Sequence, residues 1–263
     1  DGDTLVVGAP HHDLPVNQCG ALYVFERQAS GSWQQTAKLS PEPPLVGQKL
    51  GTAVAMQRSV IVAGVMFDST YSMSAGAAHI YERSPTGWVH VAKVFAPDPG
   101  GFHQFGHAVA INEGFVFAGA VGATGSALGS GAVYAFDRGL GGGWFFSQKL
   151  VSQDKAKNAF GFSIEACNDT IVVGAINDGP PLATHGAVYV FSRNAVGIWS
   201  QTAKAIPNDV KVKDHFGNVV AVDDALALVG TDNYESPRPT PGSVYVFAVG
   251  PDTNNNGLMD PCE

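Results

Sequence analysis

Short apolar stretches alternate with polar, glycine-rich ones from one end of the chain to the other. Between 105 and 150 the apolar stretches read "FGHAVAI", "FVFAGA", "GAVYAF" and "WFFSQKL", designated A to D. Their length of roughly five to seven residues and their Val, Ile, Phe and Tyr content predict β-strands. A and B are separated here by "NEG" at 112–114, and elsewhere by "QR" at 57–58, "ND" at 168–169 and "DD" at 223–224. Asn, Asp and Gly tolerate the positive φ of hairpin turns, so A and B are expected to pair antiparallel.

The pattern repeats. The glycine closing strand B falls at Gly8, Gly64, Gly119, Gly174 and Gly230, and the glycine opening strand C at Gly20, Gly76, Gly131, Gly186 and Gly242. Trp33, Trp88, Trp144 and Trp199 open strand D, and the glycine of strand A falls at Gly51, Gly106, Gly161 and Gly217, every step being 55 or 56 residues. In strand C the pairs Tyr23/Phe25, Tyr134/Phe136, Tyr189/Phe191 and Tyr245/Phe247 share one face, while the intervening Val24, Ala135, Val190 and Val246 make the other face apolar too. A sheet covered on both faces by copies of itself predicts an all-β chain built as a β-propeller of four-stranded antiparallel blades. Solenoid stacking is the alternative, and a four-strand meander fits blades better. Five blade repeats are visible, the first lacking its inner strand A and the last its outer strand D. An uncovered inner edge invites aggregation, so residues upstream of Asp1 are expected to be missing, and five is the minimum blade number of the intact ring. The propeller is expected over 1–249, incomplete at its N-terminus, followed by a linker and loop at 250–263.

Composition narrows the function classes. Charged residues make up 14% of the chain, the net charge is −8, and the 15 lysines and arginines read as scattered. That excludes nucleic acid as an expected partner. No apolar run approaches the roughly 18 residues of a membrane-spanning helix, so no membrane insertion is expected of this segment. The chain opens on Asp1 without a Met, as a mature secreted form or a fragment does. Cys19, Cys167 and Cys262 are too few and too dispersed for a disulfide framework or a zinc site. A bridge between Cys167 and Cys262, both placed on the turn side, is the one pairing considered.

The Phe-Gly of strand A and the "GAP" at Gly8, Ala9 and Pro10 resemble the FG-GAP repeats of integrin α-subunit propellers and of many secreted bacterial proteins. The resemblance runs from residue 1 to about 249, with drift: Leu50 replaces Phe, Val65 and Thr231 replace Ala, and His79/Tyr81 replaces a Tyr/Phe pair. It implies a secreted or cell-surface module for binding or adhesion. Many integrin-type repeats carry an Asp-rich calcium loop between A and B. The two- or three-residue turns here have no room for six to eight oxygen ligands, so the copies resemble the calcium-free bacterial variant.

Strand direction alternates, which puts the long B-C and D-A loops on one side. The B-C loops "PHHDLPVNQC", "MFDSTYSMSA", "VGATGSALGS", "INDGPPLATH" and "DNYESPRPTP" diverge while their flanking strands stay alike. A rigid scaffold presents partner-specific chemistry in this way. The expected ligand face comprises His11, His12, Asp13, Phe67, Tyr71, Phe102, His103, Asp178, His185 and Tyr234, and its expected partner is an extracellular protein or a glycan. Phe67, Tyr71, Phe102 and Tyr234 suit stacking on sugar rings, which makes a lectin-like or substrate-targeting module the second reading. His103 and His107 in "HQFGH" do not share a face across a loop-to-strand junction, and polar loop histidines are the plainer reading. A glycoside hydrolase or lyase needs paired carboxylates. The inner strands supply Glu165, with Asp214 just before one of them, so no catalysis is expected.

The tail "DTNNNGLMDPCE" differs in kind. Asp252, Asn254, Asn256, Leu258, Asp260 and Glu263 take positions 1, 3, 5, 7, 9 and 12 of a twelve-residue loop, with Gly257 at position 6. That is the ligand pattern of a calcium loop, so calcium is the one expected cofactor. The tail resembles the loops of dockerin and thrombospondin type 3 repeats. "NDT" at 168–170 matches an N-glycosylation acceptor inside an A-B turn.

Overall fold

The computed structural model describes residues 1–13, 15–154, 158–180, 184–223, 226–232 and 242–249. All regular structure in it is β. Among these residues no helix is long and apolar enough to cross a membrane. The first sheet holds β1 (Thr4–Ala9), β2 (Ala21–Arg27) and β3 (Trp33–Leu39) in that order. The second holds β4 (Val54–Gln57), β5 (Val60–Val65), β6 (Ala77–Ser84) and β7 (Gly87–Val94). The third holds β8 (Phe105–Asn112), β9 (Phe115–Ala120), β10 (Ala132–Arg138) and β11 (Trp144–Leu150). The fourth holds β12 (Phe160–Cys167), β13 (Thr170–Ala175), β14 (Ala187–Arg193) and β15 (Trp199–Ala205), and the last β16 (Val219–Val222), β17 (Leu226–Gly230) and β18 (Val244–Ala248). These antiparallel meanders of up to four strands are consistent with a propeller-like fold.

The A-B turns carry the expected left-handed residues, with φ of 55° at Arg58, 45° at Glu113 and 50° at Asn168. Two compact units divide the chain: Asp1–Ala118 with Phe136–Ser147, and Gly119–Ala135 with Gln148–Glu263. In the first unit Leu22, Val24 and Leu39 of one sheet pack with Leu50 of the connection that follows and with Ile61, Ala63, Val65 and Tyr81 of the next sheet. In the second, Val172, Val188 and Val190 pack with Phe216, Val220, Ala227, Val229 and Phe247.

Two repeated glycines meet at each seam between sheets. A Cβ built on Gly8, Gly64, Gly119 or Gly174 would lie 2.1, 1.9, 2.1 or 2.0 Å from the carbonyl oxygen of Gly51, Gly106, Gly161 or Gly217 respectively. The glycine of strand B and the Phe-Gly glycine recur together because backbone touches backbone there, leaving no space for a side chain. The tryptophans recur for another reason. Trp88, Trp144 and Trp199 lie under the guanidinium groups of Arg83, Arg138 and Arg193, 5.8, 6.0 and 5.6 Å from carbon to ring centroid. Arg83 and Arg138 reach back to Glu26 and Glu82 of the preceding sheet at 2.5 and 2.6 Å. Such half-exposed pairs contribute at most about 1 kcal/mol each, so their chief effect is to fix the register of neighbouring sheets.

Candidate functional site

The long loops are zipped to one another. The backbone N–H groups of Lys49 and Leu50 donate to the carbonyls of Gln18 and Cys19 at 3.0 and 2.9 Å, and those of Gln104 and Phe105 to Ser74 and Ala75 at 3.0 and 2.9 Å. Phe160 donates to Ser130 at 2.9 Å, and Phe216 to His185 at 2.8 Å. Each D-A loop thus lies parallel to the end of the preceding B-C loop. The residue before the Phe-Gly position is left-handed every time, at Lys49, Gln104, Ala159 and His215 (φ 59°, 56°, 54° and 50°).

Beneath this backbone zipper sits a lysine from strand D. In the fourth sheet Lys204 Nζ donates to Asp154 Oδ2 at 2.6 Å and Asp178 Oδ1 at 2.9 Å. The Tyr189 hydroxyl lies 2.6 Å from Asp154 Oδ2 and 2.5 Å from Asp178 Oδ2, and buried Asn158 donates to Asp178 at 3.3 Å. Burial pushes the Asp154 carboxyl up, but the bonds from Lys204 and Tyr189 outweigh it and hold the group below its ordinary range. In the second sheet Lys93 Nζ and Gln48 Nε2 donate to Asp68 Oδ2 at 2.7 and 2.8 Å. In the first, Lys38 donates to His12 Nε2 at 2.6 Å, leaving Nδ1–H to face the Tyr23 hydroxyl at 3.4 Å. In the third, Lys149 donates to the Thr124 carbonyl and lies 5.2 Å from the Tyr134 ring centroid.

On this base stands an exposed apolar group. Phe102, Tyr71 and Met73 are 61, 63 and 64% exposed. The Phe102 N–H donates to the Met73 carbonyl at 2.7 Å, which joins the two loops, and Tyr71 meets Phe95 edge-on at 4.8 Å. Phe102 is left-handed, with φ 60°. Its described repeat counterparts three residues before the Phe-Gly position are Gly47 and Lys213, left-handed as well with φ 75° and 69°. A bulky residue in this region carries strain on the order of 1 kcal/mol that glycine avoids, and an exposed ring recovers little of it by burial. On the opposite, turn side, a cleft of about 320 Å³ is lined by Arg58, Glu113, Arg138 and Trp144 among others. Arg138 there is already paired with Glu82, which also accepts from Trp144 Nε1 at 3.2 Å.

The FG-GAP repeat family model matches residues 88–136, 144–191 and 199–247, together more than half of the chain. The chain belongs to the FG-GAP repeat family. Each FG-GAP match runs from the tryptophan of one sheet to the strand-C phenylalanine of the next, so the family's unit straddles the glycine seam. A search among curated proteins gave no match.

Within this FG-GAP chain the expected ligand-face residues separate into distinct environments. His11 and Asp13 are exposed, Asp13 accepting from the Gln18 N–H at 3.1 Å. Phe67 is half-buried under Lys49, whose Nζ lies 4.8 Å from the ring centroid. His103 packs its ring against Gly100. His12 is bound to Lys38, and His185 Nδ1 donates to the Gly186 carbonyl at 2.8 Å. Asp178 is 3% exposed and spent on Lys204, Tyr189 and Asn158. Phe102 and Tyr71 present open rings. Tyr234, the calcium-loop positions Asp252, Asn254, Asn256, Leu258, Asp260 and Glu263, the 250–263 segment and the Cys262 pairing lie outside the described residues.

Two features escaped the sequence reading. The basic residues are not scattered: Arg27, Arg83, Arg138 and Arg193, and Lys38, Lys93, Lys149 and Lys204, keep the same 55- or 56-residue step as the glycines. Those eight account for more than half of the 15. The second feature is a histidine pair. His79, fully buried where the other strand-C copies have tyrosine, places Nδ1 3.0 Å from Nε2 of His90. His90 in turn directs Nδ1 toward Glu42 at 3.6 Å.

Burial, reinforced by His90 and Lys93 against a weaker pull from Asp68, pushes the His79 imidazole down to about 3 from an ordinary 6.5. The unfolded chain binds this proton below pH 6.5 and the folded chain does not. The stabilising contribution is therefore complete above pH 6.5 and is lost as pH falls toward 3. One such proton gives a slope of up to about 1.4 kcal/mol per pH unit. Urea unfolding at pH 7 and pH 5 should show His79→Tyr, which restores the residue of the other copies, losing clearly less stability between the two than the native chain. Equal losses would assign the slope to other groups.

Proposed function

We propose that this FG-GAP chain is a non-catalytic binding module, secreted or on a cell surface, that presents its ligand site on the zipped B-C and D-A loops of a propeller. The observation that carries this reading is Phe102, an exposed aromatic ring at a left-handed loop position where sister repeats have Gly47 and Lys213. The left-handed backbone serves the loop zipper in all three copies, donating to Asn17, Met73 and Thr184, so what this copy adds is a bulky exposed ring on a rigid loop, a placement suited to contact. The carboxylates beneath the loops, Asp68, Asp154 and Asp178, are tied to lysines, which supports a scaffolding role for them rather than a catalytic one. The FG-GAP repeat itself supports the extracellular, binding assignment. Calcium belongs to the proposal only through the twelve-residue loop at 252–263.

A sugar ligand is the second reading, favoured by the open rings of Tyr71 and Phe102. A glycan array run with calcium and again with chelator, on the native chain and on Phe102→Gly, tests both readings. The glycine variant is expected to be as stable as the native chain or more stable by about 1 kcal/mol, and to lose its array signal. Signal retained in Phe102→Gly would move the site elsewhere. A blank array for the native chain would turn the reading toward a protein ligand, and loss of signal with chelator alone would tie the calcium loop to binding.

A further inference from the structure

The turn-side cleft of about 320 Å³ holds two charges that the fold does not use. Arg58 and Glu113 line it from neighbouring A-B turns, both exposed, and no ion pair joins either side chain to the other or to another described residue. The Asp1 carboxylate accepts from the Arg58 backbone N–H rather than from its guanidinium. The Glu113 N–H donates to Gln57 Oε1 at 2.7 Å, so the turns are held through their backbone, independently of the two charged ends. Both residues are left-handed, with φ of 55° and 45°. Asn168 holds the equivalent position of the fourth sheet at 50°, and asparagine suits that region better than arginine or glutamate. Turn geometry therefore does not account for a charge at either place.

The rest of the cleft supplies apolar surface. Val60 and Ile111 line it, 8 and 7% exposed. The half-buried Trp144 ring is fixed by Arg138 over its face, 6.0 Å from carbon to centroid, and by Glu82, which accepts from Nε1 at 3.2 Å. One glycine leaves the space open. In the fourth sheet the residue after the left-handed one is Asp169, which pairs with Arg193 at 2.6 Å; in the third it is Gly114, where a Cβ would have nothing within 4 Å. Apolar lining with a few polar groups placed around it is the usual make-up of a small-molecule site. Here those groups are a guanidinium and a separate carboxylate, so the complementary ligand carries both an anion and a cation.

We propose that this cleft binds a zwitterion with an apolar side chain, an α-amino acid or a short peptide. Its carboxylate meets Arg58, its ammonium meets Glu113, and its side chain lies over Val60, Ile111 and Trp144. Nitrogen-15 NMR of the native chain, titrated with L-phenylalanine and with glycyl-phenylalanine, should show saturable shifts of the Ser59 and Gly114 amides and of the Trp144 indole N–H; the tighter binder gives the ligand length. Acetylating the ammonium or amidating the carboxylate of that binder should each weaken it about fivefold, the worth of one partly screened charge contact. Glu113→Asn should erase the effect of acetylation, and Arg58→Asn the effect of amidation. Both variants should keep the fold, because asparagine is the residue of the fourth sheet's turn. Shifts absent with both probes overturn the proposal. So does binding indifferent to either blocked end, which would reduce the cleft to an apolar patch. The blocked probes on the native chain decide the matter even if a variant fails to fold.

Discussion

Replacing Gly64 by alanine should lower the stability of the chain by more than about 4 kcal/mol, beyond the roughly 1–3 kcal/mol usual for an overpacked core. The new methyl would stand 1.9 Å from the Gly106 carbonyl oxygen and 3.0 Å from its carbon. Neither atom can swing aside as a side chain would. Gly106 is itself confined, since a Cβ there would lie 2.3 Å from the Ala77 carbonyl oxygen, and its φ of 83° belongs to glycine. Relief therefore requires the seam to open, which exposes buried residues along it such as Val62 and Phe105. Gly230→Ala is the matched control: same repeat position, same surrounding sequence pattern, but a side chain rather than a carbonyl in the way. Urea unfolding should place Gly230→Ala within about 1 kcal/mol of the native chain. If Gly64→Ala unfolds at nearly the same urea concentration as that control, the seam is not the close backbone contact described.

These glycines were legible in the sequence because the constraint acting on them is absolute. A position where backbone meets backbone admits one residue type, so the repeat shows there without any knowledge of partners. The same holds for the sheets: alternating apolar positions and short Asn, Asp and Gly turns follow from strand geometry within a few residues. The loop chemistry was less legible for the opposite reason. Asp178 reads as a solvated loop carboxylate, and nothing near it in sequence announces Lys204, 26 residues on. His79 and His90 are 11 residues apart and meet only because the ladder between β6 and β7 slips a register at Ile80/Tyr81. The lysines and arginines did carry a readable signal in their period, obscured because basic residues were weighed as a surface for polyanions rather than as repeat positions. Phe102 stood out as a loop aromatic, whereas its left-handed backbone emerges only once the D-A loop is seen paired to Met73 and Ser74.

The lysine of the fourth sheet shows what that hidden chemistry is worth. Lys204→Met should cost about 3–5 kcal/mol near neutral pH, the range for removing one partner of a buried ion pair. Methionine keeps most of the apolar stem but leaves Asp178, whose side chain is 4% exposed, and Asp154 facing each other with a single tyrosine hydrogen between them. The pH dependence separates charge from packing. Burial lowers the Lys204 ammonium and its bonds to Asp154 and Asp178 raise it further, so its folded pKa lies above 10.5 and its contribution persists until pH rises through that value. The Asp154 contribution is complete above 3.8 and is lost as pH falls through its lowered folded value. Between those limits the native chain gains from the network at full strength, while the variant carries uncompensated carboxylates. Below about pH 4 the Asp154 carboxylate, deprived of its ammonium, takes up a proton, and the deficit of Lys204→Met relative to the native chain should shrink. Guanidinium unfolding of both proteins at pH 7 and pH 3.5 measures it, with the high ionic strength common to all four curves. A deficit that stays the same at the lower pH would mean that the lysine serves the loops by packing its stem on Tyr189, 5.2 Å from ammonium to ring centroid, rather than by neutralising the two aspartates that anchor them.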